Sequence, residues 1–177
     1  MMKTSSETIH AGLVAAGTEF CIYLPDSGTG ALTALISADQ RITTIVCARE
    51  DEGIAIAAGL FVAGKRAVVV MECSGLGYAG LILARCKLQR TPVFILASHG
   101  GTIGEVFDYH ITPIAAARAV VDGLHLDNIV LQPRESHEQT IRLAFQTVEN
   151  HRTSMVVFVP LYLDDVALNG SAALATR

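Results

Sequence analysis

The amino-acid sequence predicts an α/β protein, a three-layer αβα fold around a six-stranded parallel sheet. Short runs rich in valine and isoleucine recur along the chain, as the buried strands of parallel sheets do. Segments long enough to form amphipathic helices separate these runs. The 177 residues are 51% hydrophobic and 17% charged, which is typical of a globular chain with a sizeable core.

Six strands are predicted from these runs, with helices in the gaps between them. The strands fall near residues 20–24, 43–47, 67–72, 93–98, 128–131 and 155–159. The first helix is expected to begin at a Ser5 or Ser6 cap and to end at Gly17, because serine accepts from free amides and glycine tolerates a left-handed exit. Later helices are predicted near 29–38, 50–63, 77–89, 113–123 and 135–150.

Two segments break the alternation. Residues 99–112 carry three glycines without a clear period, so we expect a long loop after the fourth strand, and loops of that length are commonly functional. Residues 166–177 are rich in small side chains and are predicted to be a frayed tail. Residues 1–165 are therefore expected to form one domain.

Composition argues against several classes of protein. The net charge is −4 and basic clusters are lacking, which disfavours a nucleic-acid partner. The polar N-terminus and the short apolar runs predict a chain without a signal peptide or membrane span. The four cysteines stand in or beside apolar segments without Cys-x-x-Cys spacing. We expect reduced, buried thiols in a cytoplasmic protein rather than disulfides or a metal site.

A glycine pattern follows the third predicted strand. Gly75, Gly77 and Gly80 match Gly-x-Gly-x-x-Gly, the arrangement that lets a dinucleotide phosphate approach a helix. This pattern would suit a nucleotide-dependent oxidoreductase. The next strand, however, ends in Ala97-Ser98-His99 without the acidic residue that would bind a ribose. The other interpretation is that these glycines allow close packing of a helix.

An acidic cluster follows the second predicted strand. Arg49-Glu50-Asp51-Glu52-Gly53 places three carboxylates in the first turn of a helix, where the helix dipole favours negative charge. Small side chains then recur at residues 53, 55, 57, 58 and 59. They would let another backbone or a flat ring pack closely, so this helix is predicted to form an interface.

These residues resemble the pyrimidine-binding domain of thiamine-diphosphate-dependent enzymes. Glu50, Gly53, Ala57 and Gly59 keep the family spacing Glu-x-x-Ala/Gly-x-x-x-Ala-x-Gly. Three runs are similar to those of sulfopyruvate- and phosphonopyruvate-type decarboxylases: Arg49-Glu50-Asp51-Glu52-Gly53, Ala63-Gly64-Lys65 and Ser74-Gly75-Leu76-Gly77. The resemblance implies a 2-keto acid decarboxylase, and a non-catalytic regulatory domain that retained the fold is the remaining alternative.

The resemblance assigns roles to two of these segments. It implies that Glu50 is catalytic and hydrogen-bonds ring nitrogen N1′ of the aminopyrimidine of thiamine diphosphate. It also implies that a turn formed by Ser74, Gly75, Leu76 and Gly77 brings backbone against that ring, so these four residues are cofactor-binding.

The resemblance further implies a partner. The family's diphosphate-binding domain holds magnesium and the diphosphate with a Gly-Asp-Gly run and a later asparagine, and no Gly-Asp-Gly occurs in this sequence. A separate diphosphate-binding (beta) subunit would then hold the magnesium, in a hetero-oligomer with a site shared between the two chains.

Two histidines are further candidates. His99 and His110 bracket the glycine-rich segment at the carboxyl end of the fourth strand, the edge where open parallel sheets bind ligands. We predict that both contact the substrate and take part in catalysis, the alternative being solvated loop histidines. Related sulfopyruvate-type sequences have Trp-Arg-Gly near residues 99–101, where this chain has no arginine. The identity of the 2-keto acid therefore stays open.

Overall fold

The computed structural model describes residues 3–101, 105, 107–132, 137–161 and 163. Within them six strands form one all-parallel sheet in the order β2-β1-β3-β4-β6-β5. Each strand lies within one residue of its predicted position. The strands are β1 (Phe20–Tyr23), β2 (Thr43–Val46), β3 (Ala67–Glu72), β4 (Phe94–His99), β5 (Asp127–Val130) and β6 (Met155–Pro160).

Helices connect the strands, as right-handed parallel crossovers require. They are α1 (Ser5–Ala15), α2 (Gly30–Ala38), α3 (Glu50–Val62), α4 (Cys73–Tyr78), α5 (Gly80–Gln89), α6 (Ile111–Gly123) and α7 (His137–His151), with one turn of 3₁₀ helix at Asp108–His110. The alternation of strand and helix confirms the predicted α/β class.

Two hydrophobic clusters show the three layers. On one face of the sheet α3, α4, α5 and α6 cover a core that includes Ile54, Leu76 and Phe158. On the other face α1, α2 and α7 cover a core that includes Leu13 and Phe145. Residues of the inner strands β1, β3, β4 and β6 alternate between the two clusters. The centre of the sheet is therefore buried on both sides, which explains its continuous apolar runs.

The structure corrects three details of the prediction. Thr4, rather than Ser5 or Ser6, caps α1, because the Thr4 side chain accepts from the Glu7 amide while the Glu7 carboxylate accepts from the Thr4 amide. Gly17 does take the expected left-handed conformation, with φ of 71°. The segment 74–77 is helical rather than a turn, because α4 starts directly after β3.

The third correction concerns the segment 99–112. His99 belongs to β4, in register with Pro160 of β6, and α6 begins at Ile111, two residues before its predicted start. Strand pairing of His99 and the early start of α6 therefore shorten the expected loop from both ends. The predicted tail 166–177 lies outside the described residues.

The four cysteines are buried thiols, as their positions in or beside apolar segments predict. All four cysteines are free and buried, and burial raises the pKa of the Cys21 thiol to about 12. In the described part of the chain, no helix combines the length and the apolar character needed to cross a bilayer.

Strand order places a crevice at the carboxyl edge of the sheet. The chain leaves β1 for α2 on one face and leaves β3 for α4 on the other. Adjacent strands that diverge in this way open a crevice between their carboxyl ends, which is where open α/β sheets bind ligands. The start of α3, the start of α4 and the segment after β4 all lie at this edge.

Candidate cofactor-binding site

Glu50 differs from its acidic neighbours in having no partner. Arg49 Nη2 lies 2.9 Å from Asp51 Oδ2, and this hydrogen-bonded guanidinium lowers the pKa of Asp51. Glu52 Oε2 accepts from the Ala48 amide at 3.3 Å. The half-buried Glu50 carboxylate forms no hydrogen bond or ion pair with any residue that the structure describes. Of the three carboxylates, Glu50 is the one available to a ligand.

Gly75 makes room for the Glu50 side chain. A methyl group built on Gly75 would lie 3.0 Å from both Cβ and Cδ of Glu50, closer than real Cβ atoms normally approach other atoms. Helices α3 and α4 pack against each other at this point. The fold therefore brings together two residues that were predicted to meet the cofactor and that stand far apart in sequence.

The other members of the glycine segment have different surroundings. Ser74 is half-buried in the first turn of α4. The Leu76 side chain is fully buried in the core, and a methyl group on Gly77 would lie 3.2 Å from Ala116 Cβ of α6. The contact of Ser74, Leu76 and Gly77 with a cofactor stays a prediction.

Close packing accounts for the Gly-x-Gly-x-x-Gly pattern. Methyl groups built on Gly77 and Gly80 would meet Ala116 and Val120 of α6 at 3.2 and 3.4 Å, and α4 packs closely on α6. The third glycine, Gly75, faces Glu50. These contacts favour the packing interpretation over a phosphate-binding loop of an oxidoreductase.

His99 lies at the end of β4 and is only 8% exposed. Its ring centroid is 5.1 Å from that of Phe158. The guanidinium of Arg118, on α6, packs on the same Phe158 ring, with Cζ 4.0 Å from the ring centroid. Burial, followed by the positive charge of Arg118, lowers the pKa of His99 to about 4. The ring is therefore neutral at neutral pH, and its buried Nδ1 has no hydrogen-bond partner among the described residues.

His110 ends the 3₁₀ turn and is held by a carboxylate. Its Nδ1 lies 2.8 Å from Glu105 Oε2, and its ring packs edge-on against Tyr109 and Phe107. Within the described ranges no hydrogen bond joins His99 or His110 to Glu50. Both histidines lie at the carboxyl edge of the sheet, as predicted.

Gly100 connects the histidine segment to α4. The Gly100 amide counteracts part of the increase that burial causes in the pKa of the Cys73 thiol, so this amide faces the first residue of α4. A methyl group on Gly100 would lie 3.1 Å from both Cβ and Cγ of His110. Gly100 therefore contacts both His110 and the first residue of α4, the helix that carries Gly75.

Sequence reasoning missed three charged residues at or near this edge. Glu105 binds His110, Arg118 influences His99, and the negative charge of Asp26, in the segment after β1, acts on Cys73. Glu105 is the single acidic residue between His99 and Phe107, which could have drawn attention to it. Asp26 and Arg118 stand at no informative spacing, and only the fold brings them near the site.

Comparison with known proteins defines the class of this chain. Residues 3–146 match the family described as thiamine pyrophosphate enzyme, N-terminal TPP binding domain. The match covers most of the chain, and the chain belongs to this family. The domain is thus one that binds thiamine diphosphate.

The chain is similar to particular members of this class. It is 32% identical over 163 residues to sulfopyruvate decarboxylase subunit alpha of Methanothermobacter thermautotrophicus, covering 91% of this chain and 97% of the relative. It is 28% identical to the protein of the same name from Methanococcus maripaludis, over 57% of this chain and 61% of that one. The family resemblance predicted from the sequence is confirmed.

A solved structure has the same fold. The 2-oxoglutarate:ferredoxin oxidoreductase of Magnetococcus marinus superposes with a TM-score of 0.69 at 14% identity. The superposition covers 93% of this chain and 30% of the other. At this identity the likeness shows the fold alone, and it agrees with the parallel sheet predicted from the sequence.

Proposed function

We propose that this chain is the pyrimidine-binding subunit of a two-subunit thiamine-diphosphate-dependent decarboxylase that acts on a 2-keto acid. The observation that carries the proposal is the Glu50 carboxylate, which has no partner among the described residues and lies against Gly75. Membership of the thiamine pyrophosphate enzyme family and the names of the similar decarboxylase subunits support it.

The residues at the edge of the sheet fit an aminopyrimidine ring. Glu50 offers a carboxyl group that can share a proton with a ring nitrogen, and Gly75 lets the ring or the carboxylate approach without a side chain between them. Bound thiamine diphosphate supplies the carbon nucleophile and the electron sink for loss of CO2 from a 2-keto acid. Glu50 in this proposal holds a proton at N1′, while His99 and His110 contact the keto acid.

A second chain completes the site in this proposal. The sequence has no Gly-Asp-Gly run for magnesium and diphosphate, and a relative of nearly the same extent is named a subunit. We therefore assign magnesium and the diphosphate to a beta subunit, which makes the active enzyme a hetero-oligomer. Nucleic acid and membranes have no part in it.

Exposed apolar side chains on α3, α4 and α5 support a binding surface for that subunit on these helices. The group, here called the partner face, consists of Val62, Tyr78, Leu81 and Leu88, which are between 57% and 83% exposed. Helix α3 packs against α4 and α5, so the four residues stand on neighbouring helices. Exposed groups of large apolar residues are characteristic of protein interfaces.

The partner face adjoins the Glu50 site. The Arg49 guanidinium lies 5.2 Å from the centre of the Tyr78 ring, and Arg49 directly precedes Glu50. A subunit seated on this face would border the carboxylate and could present the diphosphate end of the cofactor beside it. The exposed Arg85, between Leu81 and Leu88 on α5, suits an acidic residue on the partner.

The same observations support a substrate class and a compartment. The similar subunits belong to sulfopyruvate decarboxylases, and we propose a 2-keto acid of the sulfopyruvate or phosphonopyruvate type. Four buried, unpaired cysteines suit a reducing cytoplasm.

Calorimetric titration tests the proposal. Thiamine diphosphate with Mg²⁺ is titrated into this chain, into a co-purified chain carrying Gly-Asp-Gly, and into their complex. We expect tight binding by the complex alone, and decarboxylation of sulfopyruvate or phosphonopyruvate that falls at least a hundredfold in the Glu50→Gln complex. Glu52→Gln is the matched control, because Glu52 lies in the same helical turn and is bound to its own backbone segment.

The possible results separate the alternatives. Turnover unaffected by Glu50→Gln would support a non-catalytic domain beside an active partner. Binding of a nicotinamide or flavin nucleotide, with none of thiamine diphosphate, would support the oxidoreductase. Either result would overturn the proposal.

A further inference from the structure

Glu105 accepts three hydrogen bonds within one short segment. The Gly101 amide donates to Oε2 at 2.9 Å, and the Phe107 amide donates to Oε1 at 2.9 Å. His110 Nδ1 lies 2.8 Å from Oε2. The side chain of Glu105 is 9% exposed and that of His110 is 19% exposed. One carboxylate therefore fixes the backbone on both sides of itself and also the imidazole.

The ionisation of Glu105 determines which ring nitrogen of His110 carries the proton. Burial acts to raise the pKa of Glu105, but hydrogen bonds from the two amides and from His110 outweigh it, and the pKa is lowered overall. An ionised carboxylate can only accept hydrogen bonds. Nδ1 of His110 must therefore donate, and in the neutral ring Nε2 is left as an acceptor.

The surroundings leave Nε2 of His110 available. No hydrogen bond reaches this nitrogen from the described part of the chain. The ring packs edge-on against Tyr109 and Phe107. A methyl group built on Gly100 would lie only 3.1 Å from His110 Cβ and Cγ, so the backbone of Gly100 lies close beside His110. The aromatic contacts thus hold the His110 ring in place, and the contact with Glu105 sets its tautomer.

We infer that Glu105 is a positioning residue, which holds His110 as the Nδ1–H tautomer and presents Nε2 as a hydrogen-bond acceptor toward the substrate. The inference rests on the proposed function for its substrate. The Glu105–His110 pair itself depends only on the geometry of this chain. Carboxylates that orient imidazoles through Nδ1 act in this way in many enzyme sites.

The tautomer can be measured on the full chain without cofactor or partner. A two-bond ¹H–¹⁵N correlation spectrum of the uniformly ¹⁵N-labelled chain at a pH of about 8, where an ordinary imidazole is neutral, distinguishes protonated from bare ring nitrogens. The His110→Gln variant assigns the signals. We expect protonated Nδ1 and bare Nε2 in the wild type, and loss of this preference in both Glu105→Gln and Glu105→Ala.

Asp108→Asn is the matched control. It removes the same charge from the same segment, and Asp108 is exposed and forms no hydrogen bond to His110. The control should keep the wild-type tautomer. A bare Nδ1 in the wild type, or an unchanged tautomer in both Glu105 variants, would overturn the inference.

Activity of the two-subunit complex provides the second readout. We expect Glu105→Gln to reduce kcat/KM for the 2-keto acid at least tenfold while the affinity for thiamine diphosphate is kept. If Glu105 had only a structural role, Glu105→Gln would lower both kcat/KM and the affinity for thiamine diphosphate. An unchanged kcat/KM would refute the positioning role. Inactivity of the wild-type complex would contradict the proposed function instead, since the tautomer measurement decides the pairing independently.

Discussion

The Glu50 side chain occupies the space that a methyl group on Gly75 would need. Neither residue is unusual by itself, since glutamate is common in first helical turns and glycine is common in turns. In the proposed function their contact gives both a role, because the glycine leaves the carboxylate undisturbed and accessible at the carboxyl edge of the sheet.

Gly75→Ala is expected to weaken cofactor binding more than it affects folding. The added methyl group must push Glu50 aside, so the affinity of the complex for thiamine diphosphate should fall at least tenfold, as calorimetry can measure. Gly59→Ala is the control for folding of the isolated chain, since no atom of the chain lies within 4 Å of the added methyl group. In the isolated chain the control should raise the free energy of unfolding by about 0.5–1 kcal/mol. Unchanged cofactor affinity in Gly75→Ala would contradict the assigned contact.

His99 should make the stability of the chain depend on pH. Its pKa is about 4 in the folded chain and about 6.5 when unfolded, so between these values the unfolded state binds more protons. The free energy of unfolding should therefore decrease as the pH falls from about 6.5 to about 4, by at most about 1.4 kcal/mol per pH unit. Urea unfolding at several pH values measures this.

A His99→Phe variant should lose that part of the pH dependence. His125→Asn is the control, because His125 is exposed and has a left-handed φ of 49°, which asparagine tolerates. The control should keep the wild-type slope. If the free energy of unfolding depends on pH equally in the wild type and in His99→Phe, folding does not change the pKa of His99.

Helices α1 and α7 cross on the face of the sheet opposite the candidate site. A methyl group on Gly12 of α1 would lie 2.7 Å from both the Glu138 carbonyl oxygen and Ile141 Cβ of α7. Backbone atoms of a packed helix cannot yield as a flexible side chain can. The distance between the two helices therefore depends on this one glycine.

Gly12→Ala is expected to destabilise the chain by about 1–3 kcal/mol, as overpacking does. The midpoint of urea unfolding should fall with an unchanged m value. The same substitution at Gly59 should have the opposite sign, because Gly59 is exposed. A neutral Gly12→Ala variant would show that α1 and α7 can move apart without cost.

Strands were easier to predict than the helix at the glycine segment. The inner strands are short, continuous apolar runs and the edge strands β2 and β5 each end in an Ile-Val pair, so the sequence located all six to within one residue. The run Ser74-Gly75-Leu76-Gly77 has poor helix propensity, yet α4 forms there because Leu76 is buried in the core and Gly77 packs on α6. Tertiary packing thus outweighed the poor helix propensity of this segment, and packing between distant elements cannot be predicted from a local sequence pattern.

The partner face includes residues of three helices, α3, α4 and α5. Its four large apolar side chains lie on the layer formed by α3–α6, the layer at whose edge Glu50 lies. Exposed apolar residues are ordinary when scattered, but groups of them on packed helices indicate a surface that is covered in the assembled protein.

A double variant, Leu81→Asp with Leu88→Asp, should abolish the complex with the beta subunit without unfolding this chain. Leu143→Asp is the control, because Leu143 is 44% exposed on α7, in the opposite layer. Size-exclusion chromatography with light scattering measures complex formation, and circular dichroism checks the fold. A complex that survives the double variant would place the interface elsewhere, and loss of a self-dimer alone would identify a second copy as the occupant.

The sequence by itself determined the fold class, the six strands and the family, and it singled out Glu50 as a candidate site residue. The fold class and the strands depend on local periodicity, and the family depends on a resemblance carried by short motifs, all of which a single chain displays directly. Tertiary structure decided that Glu50 meets Gly75, that Glu105 holds His110 and that Arg118 acts on His99. The first and last of these contacts join different elements, and the Glu105 contact depends on how the chain folds back after β4. Their distances are set by packing and backbone pairing rather than by sequence spacing.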